Sequence, residues 1–450
     1  MEHAARLIRQ HFRSFNGELC FGETPIRELA ETYGTPFFVY DRGVAETKWN
    51  QLRSALPARF SISYSVKANP NPAYLRLFLE KGSGLEVASA GEFYQALKAG
   101  CPPQRVLFAG PGKTDHELEY VLSNDIGEIH AESFREIERI SAVSQRLNRR
   151  ARIALRVNPG AEAEGGAMRM GGKPAPFGVD EERLEEAVAL ILTHPSLEFR
   201  GIHLFTGTQI LDARVLVAQY AKGLELALRS AAILNSPLKR VDFGGGLGVP
   251  YFGHERELDL VELRAGLEEL VGMANKVPRL EGTEFLVEPG RFLVAESGVY
   301  VSRVIDIKVS RGKKFLIVDG GMHHHLAASG NLGQTIKRNY PVAVLNKLET
   351  PGAETVDIVG PLCTPLDVLA RAVDLPVVEE GDLIGVFQSG AYGRTASPLG
   401  FLSHPTPPEI WIEHSQHSLV RSRGEFADTL RDVVHPVPNE AQLPKPVSKS

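Results

Sequence analysis

From residue 60 onward, short runs rich in Val, Ile and Phe alternate with longer charged segments. That alternation predicts βα units and a parallel sheet. The runs place strands near Phe60–Val66, Leu85–Ser89, Val106–Gly110, Glu128–Glu132, Arg152–Asn158, Phe199–Thr206, Arg240–Gly244 and Glu284–Glu288. Eight is the number that closes a (β/α)8 barrel. Between them, Glu182–Leu192 and Ala213–Leu234 repeat apolar residues at three- and four-residue spacing and read as outer-ring helices. After Arg291 the pattern changes to Tyr300–Val309, Lys314–Asp319, Thr355–Val359, Asp382–Phe387 and Glu409–Ile412, separated by Gly, Pro and Asn. These runs predict an all-β domain, a small barrel or sandwich.

The expected fold class is therefore α/β: a TIM-like (β/α)8 barrel over residues 36–290, then a β domain over 291–434. A short strand at Pro36–Asp41 lies just before the barrel, and residues 1–35 are expected to pack with the β domain. The Pro-rich polar tail, 435–450, cannot bury a core and is expected to be disordered. A length of 450 residues suits two domains, since single cores stop growing near about 250 to 300 residues.

Composition narrows the partners. A net charge of −5 gives no field that would gather nucleic acid or an anionic membrane, and a small-molecule substrate is favoured. No window approaches the roughly 20 apolar residues of a membrane span, and the N-terminus lacks a signal-peptide core. The three cysteines, Cys20, Cys101 and Cys363, are far apart with no CxxC pair, so neither a disulfide framework nor a zinc site is indicated. A reducing cytoplasm is the expected compartment.

The unusual residues fall at the carboxyl ends of the predicted strands: Lys67 after the first, Gly207-Thr208-Gln209 after the sixth, Gly244-Gly245-Gly246 after the seventh, Glu288-Pro289-Gly290-Arg291 after the eighth. That face of a (β/α)8 barrel carries the active site, and its last loops commonly bind phosphate. Alone, GGGLG marks a tight turn as readily as a phosphate loop, and Lys67 reads as a solvated loop lysine. Position changes both readings. Glycines let backbone N–H groups approach an anion, and a lysine desolvated in a barrel mouth has a lowered pKa that frees its amine to attack an aldehyde. Adjacent residues in the run His323-His324-His325 point in different directions and have no accompanying carboxylate or Cys cluster, so a loop or strand-end role is preferred and no metal is expected.

The ordered motifs YSVKAN, GLEVASAGE, RVNP, GTQ, GGGLG, EPGR, GPLCTPLD and SGAYG resemble the signature of fold type III pyridoxal-phosphate (PLP) decarboxylases, the ornithine and diaminopimelate decarboxylase group, over about residues 35 to 412. DGGMHHHLAASGNLGQ, GPLCTPLDVLA, FQSGAYG and FLSHPTPPEI are most similar to the exosortase A-associated decarboxylases and to the butirosin-pathway enzyme, which acts on a glutamyl group tethered to an acyl carrier protein. The resemblance implies PLP as cofactor, bound by Lys67 as a Schiff base. It implies that Gly244, Gly245, Gly246, Thr208, Arg291 and Tyr392 hold the phosphate, with Gly290 beside them, and that Glu288 keeps the ring nitrogen protonated so that the ring accepts electrons as CO₂ leaves. Glu86, Arg156 and His203 line the barrel mouth. The family forms homodimers with the site at the interface, so Cys363 is expected to act from the partner chain, donating a proton to Cα.

Two departures bear on substrate. Relatives acting on free diamino acids carry a stacking His where this chain has Phe205, and an acidic residue where it has Thr364. A buried carboxylate–ammonium contact is worth about 1.5 to 3 kcal/mol, so its loss argues against lysine, ornithine or diaminopimelate. An amino acid without a distal cation, or an aminoacyl group on a carrier protein, fits better; Thr364, Asp367, Tyr340 and His324 are expected to meet it. A racemase, which pairs the ring nitrogen with Arg, is the nearest alternative, and an inactive regulatory binding protein is another.

Overall fold

The computed structural model describes residues 2–160, 168–169, 174–234, 236–332 and 337–434. Eight parallel strands, β1 (Phe60–Ser65), β2 (Gly84–Val87), β3 (Val106–Phe108), β4 (Glu128–Ala131), β5 (Ala151–Asn158), β6 (Leu197–Leu204), β7 (Arg240–Asp242) and β8 (Glu284–Val287), pair in sequence order. β8 returns to β1 through Phe285 opposite Phe60, so the sheet is a closed barrel, as the eight apolar runs predict.

Seven helices follow strands: Pro72–Glu80, Ala90–Lys98, Asp115–Ser123, Phe134–Arg146, Leu184–Thr193, Ala213–Ala232 and Leu260–Ala274. Their starts are written locally. Ser89, Thr114, Ser133, Asp212 and Asp259 each accept a backbone N–H of the first turn, and Asn71 does so ahead of Pro72 at N1. The eighth place in the ring is filled by Arg42–Ala55, which precedes β1 and packs between Leu260–Ala274 and Pro72–Glu80.

The second sheet corrects one boundary. Phe37–Asp41 lies within it, pairing antiparallel with Gly298–Ser310 and parallel with Glu409–Glu413. The barrel unit therefore begins at Arg42 rather than at residue 36. Beyond Gly298–Ser310 the sheet continues through Lys313–Val318, Glu354–Val359 and Val368–Leu375, while Leu383–Phe387 and Val342–Val344 pair on its other side. Ala4, Leu7, Leu19, Phe21 and Leu29 of the N-terminal segment share one buried cluster with Phe37, Val39, Val299, Phe387 and Ile410. The predicted disordered tail, 435–450, lies outside the described residues. No described helix is long and apolar enough to cross a membrane.

Candidate active site

β1 stops at Ser65, whose N–H donates to the Pro289 carbonyl after β8, and the chain makes a tight turn over Val66–Ala68. Val66 and Ala68 are buried by that turn while the Lys67 side chain stays 41% exposed, facing a cavity of about 450 Å³ at the carboxyl ends of the strands. Its Nζ lies 3.3 Å from both carboxylate oxygens of Glu86, on β2, which also accepts from Ser65 Oγ at 2.5 Å. The expected desolvated, lowered lysine is not what this geometry gives. Burial does pull the ammonium down, but the Glu86 carboxylate, with Tyr392 and Glu288, outweighs it and the pKa rises above the ordinary lysine value. In this state Lys67 is a paired ammonium that must hand its proton on before it can act as a nucleophile.

The β domain closes the cavity through the same turn. Tyr392 N–H donates to the Ala68 carbonyl at 2.8 Å, and Asn69 Nδ2 donates to the Gly390 carbonyl at 2.9 Å. Those bonds set the Tyr392 ring under the Arg291 guanidinium, 4.7 Å from the ring centre, while Arg291 Nη1 donates to Tyr251 Oη at 3.0 Å. Gly290 lets this segment sit on the lysine turn, since a Cβ there would meet Ala68 Cβ at 2.9 Å. The glycine run is needed for close approach: Gly244 and Gly246 have φ of +69° and +101°, and a Cβ on Gly245 would lie 2.5 Å from the Glu288 carbonyl.

At the barrel end of the cavity, Glu288 Oε2 shares a hydrogen bond with His203 Nε2 at 3.2 Å, and His203 stacks on His130 with ring centres 4.3 Å apart. Burial brings His203 down to about 4, so it is neutral near pH 7. Burial pushes the Glu288 carboxyl up, but His203, His130 and Lys67 together draw it well below the usual range, so it is ionised. Arg156, on β5, donates from Nη1 to Glu132 at 2.9 Å and lies over Phe177 and Phe205 at 5.0 and 5.9 Å.

Lys67, Glu86, Arg156, His203, Phe205, Thr208, Glu288, Arg291, Tyr340 and Tyr392 are thus brought to one cavity. The candidate glycines Gly244, Gly245, Gly246 and Gly290 are not among its lining residues, and four side-chain candidates also lie outside it. Asp367 is buried, accepting from Met322 N–H at 2.6 Å and Leu362 N–H at 2.9 Å, so it ties two loops and is not free for substrate. His324, also buried, is engaged by Tyr300 Oη and the Pro405 carbonyl, which replaces its expected substrate contact with a structural one. Cys363 is exposed and Thr364 half-buried, both outside the cavity of their own chain. Sequence reasoning missed Glu132, Tyr251 and Phe177, together with His130 and Asp242 beneath the cavity. Glu132 and Asp242 stand at strand ends, but the runs EIHA and RVD already carry other polar residues, so neither carboxylate is singled out by the pattern.

The residues present fit a phosphorylated aldehyde. Lys67 offers an amine, the glycine turn and Arg291 an anion site, and two buried polar atoms of residues that line the cavity, Glu288 Oε1 and Arg291 Nε, have no hydrogen-bond partner among the described residues. Fold and site together define a class: a barrel enzyme that holds an aldehyde cofactor across the carboxyl ends of its strands.

The chain belongs to the pyridoxal-dependent decarboxylases, whose pyridoxal binding domain matches residues 42–295. It is 38% identical to the L-glutamyl-[BtrI acyl-carrier protein] decarboxylase of Niallia circulans, over 90% of this chain and 95% of that protein. It is 34% identical to the diaminopimelate decarboxylase of Zymomonas mobilis, over 93% and 97%. The structure of Helicobacter pylori diaminopimelate decarboxylase complexed with L-lysine superposes with a TM-score of 0.80 at 32% identity, covering 90% of this chain and 98% of that one. The protein is an amino acid decarboxylase, a carboxy-lyase, and PLP is its cofactor.

Proposed function

We propose that this enzyme decarboxylates an aminoacyl group carried on an acyl carrier protein, with a glutamyl group as the first candidate. One observation carries the reading. Among the described residues lining the cavity only Glu86 and Glu288 bear carboxylates, and both are committed, to Lys67 with Ser65 and to His203. A distal ammonium would enter without an acidic partner, which is costly in a space walled by Phe177, Phe205, Ala327, Leu332 and Tyr340. The 38% identity to an enzyme of carrier-bound glutamyl groups supports the same choice.

In this reading Lys67 would hold the cofactor through its aldehyde, the glycine turn with Thr208, Arg291 and Tyr392 would hold its phosphate, and Glu288 would keep the ring nitrogen protonated. PLP, when bound, supplies the sink for the electron pair left by CO₂. Phe205 gives an apolar face that can stack but cannot titrate. A second copy of the chain would bring Cys363 and Thr364 to the cavity, because Cys363 is exposed and its own cavity contains no thiol among the described lining. The three unpaired thiols suit a reducing cytoplasm.

The test is CO₂ release from the PLP-loaded protein offered free L- and D-amino acids in parallel with aminoacyl carrier proteins. Turnover of the carrier-bound glutamyl group with none of free lysine, ornithine or diaminopimelate is the expected result. Rapid turnover of a free diamino acid would refute it and favour the activity of the diaminopimelate decarboxylase relatives.

A further inference from the structure

At the cavity floor four buried side chains converge, His203 from β6 and Glu288 after β8 lining it and His130 from β4 and Asp242 from β7 beneath, with one polar atom of each within 4.8 Å of the others. Two are carboxylates, and each leaves one oxygen without a hydrogen-bond partner among the described residues, Asp242 Oδ2 and Glu288 Oε1. Two anions this close and this dry repel, whereas one proton shared between them turns the repulsion into a hydrogen bond.

The other oxygen of each carboxylate is engaged, Glu288 Oε2 by His203, while both ring nitrogens of His130 and Nδ1 of His203 have no hydrogen-bond partner among the described residues. Asp242 Oδ1 accepts from Gly244 N–H at 2.8 Å, and Glu288 N–H donates to the Gly244 carbonyl at 2.8 Å. Asp242 therefore touches both the glycine turn and the carboxylate at the opposite end of the site. His130 stacks on His203, and its Nε2 lies 3.3 Å from Glu128 Oε1 and 3.8 Å from Asp242 Oδ2. Glu128 in turn accepts from Arg240 at 3.0 Å, and Arg240 also pairs with Glu284 at 2.8 Å, so a polar layer runs on into the barrel interior.

We propose that Asp242 and His130 are positioning residues for Glu288: a proton held between the Asp242 and Glu288 carboxylates leaves Glu288 as the single anion at the cavity floor, and His130 couples that pair to the Glu128–Arg240 layer below. The inference rests on Glu288 facing the cofactor ring nitrogen, and not on which substrate enters. Burial and the charge of Glu288 hold the Asp242 carboxyl well above the usual range, while Glu288 is held below it, which places the proton on Asp242. The charged and titratable groups around Asp242 are Glu288, His130, His203, Arg240 and, from the helix Ala213–Ala232, Tyr220. Arg240 is already spent on Glu128 and Glu284.

Consequently a neutral amide should stand in for Asp242. Asn can donate from Nδ2 to Glu288 and accept the Gly244 N–H on its oxygen, the pattern of a protonated carboxyl. The experiment uses the full-length protein with and without PLP. Infrared difference spectra of wild type against Asp242→Asn at pH 8 are expected to show a protonated-carboxyl band in wild type alone, shifted in D₂O. PLP affinity of Asp242→Asn should stay within about threefold of wild type, while Asp242→Ala, which leaves the Gly244 N–H and Glu288 unsatisfied, should bind at least about tenfold more weakly.

Absence of the band overturns the proposal. So does an Asn variant as weak as the Ala variant, or an Ala variant as tight as wild type. If Asp242→Ala does not fold, His130→Gln serves in its place: the band must change frequency, and an unmoved band removes His130 from the arrangement. The band is read without substrate, so failure of the carrier-protein reading would leave it intact, and its absence would leave that reading untouched.

Discussion

Glu132, at the end of β4, offers a sharp test of how the site is held. Its buried side chain accepts Arg156 Nη1 at 2.9 Å and Gly110 N–H at 2.7 Å on one oxygen, and Gly178 N–H at 3.2 Å on the other. The Arg156 guanidinium and neighbouring Lys113 hold this carboxyl below the usual range against the opposing effect of burial. Glu132→Ala would leave a guanidinium whose side chain is 8% exposed without its counter-ion. Breaking such a buried pair costs about 3 to 5 kcal/mol. Two amides also lose their acceptor, at about 1 to 3 kcal/mol each.

These costs overlap because one carboxylate serves all three donors, so a total near 4 kcal/mol is the working figure, not their sum. Glu132→Gln keeps an acceptor and removes the charge, and should cost about half as much. Urea unfolding of the cofactor-free protein measures the loss, since bound PLP would add its own stabilisation. PLP titration then reports whether Arg156, released from Glu132, still flanks Phe205. A loss below about 1 kcal/mol for Glu132→Ala would refute the argument, because it would mean that Arg156 finds water or another anion at no cost.

The histidine run gives a pH dependence. Burial holds His323, His324 and His325 down to about 4, about 2 and about 3, so they stay neutral in the folded chain while the unfolded chain protonates them near 6.5. Their stabilisation is present above pH 6.5 and lost as pH falls below it, and His325→Gln should flatten the stability slope between pH 6 and 5 by about 1 kcal/mol per pH unit; an unchanged slope would refute neutral burial. Gly245→Ala sets a Cβ 2.5 Å from the Glu288 carbonyl and should weaken PLP binding by about tenfold or more, read by dialysis, with wild-type affinity counting against the glycine turn as the phosphate site. Cys363→Ala should slow turnover while leaving cofactor absorbance intact. Mixed with inactive Lys67→Ala, it should restore about a quarter of wild-type activity if each site draws on two chains, because half of randomly formed dimers are mixed and carry one intact site. No restoration would place the thiol outside the chemistry.

Legibility followed periodicity. All eight barrel strands begin and end within two or three residues of the apolar runs that predict them, because a strand buried on both faces writes itself as a continuous hydrophobic segment. Val342–Val344 and Gln416–Arg421 gave no comparable signal: one is three residues long, and the other is largely exposed. Phe37–Asp41 was legible as a strand but not as a member of the second sheet, since that depends on pairing with Gly298–Ser310 some 260 residues away, a partner no local window contains.

The site divides in the same way. Sequence alone determined which residue types stand at the strand ends: the lysine, the glycine turn, the EPGR segment and the apolar Phe205. These follow from local order along a repeating βα pattern. Only the tertiary structure decided their electrostatics. Lys67 is a paired ammonium because β2 sets Glu86 against it, Asp367 is spent on backbone amides, and Asp242 meets Glu288 because β7 pairs in parallel with β8. Charge state depends on distance and burial, and the fold, not the order of residues, fixes both.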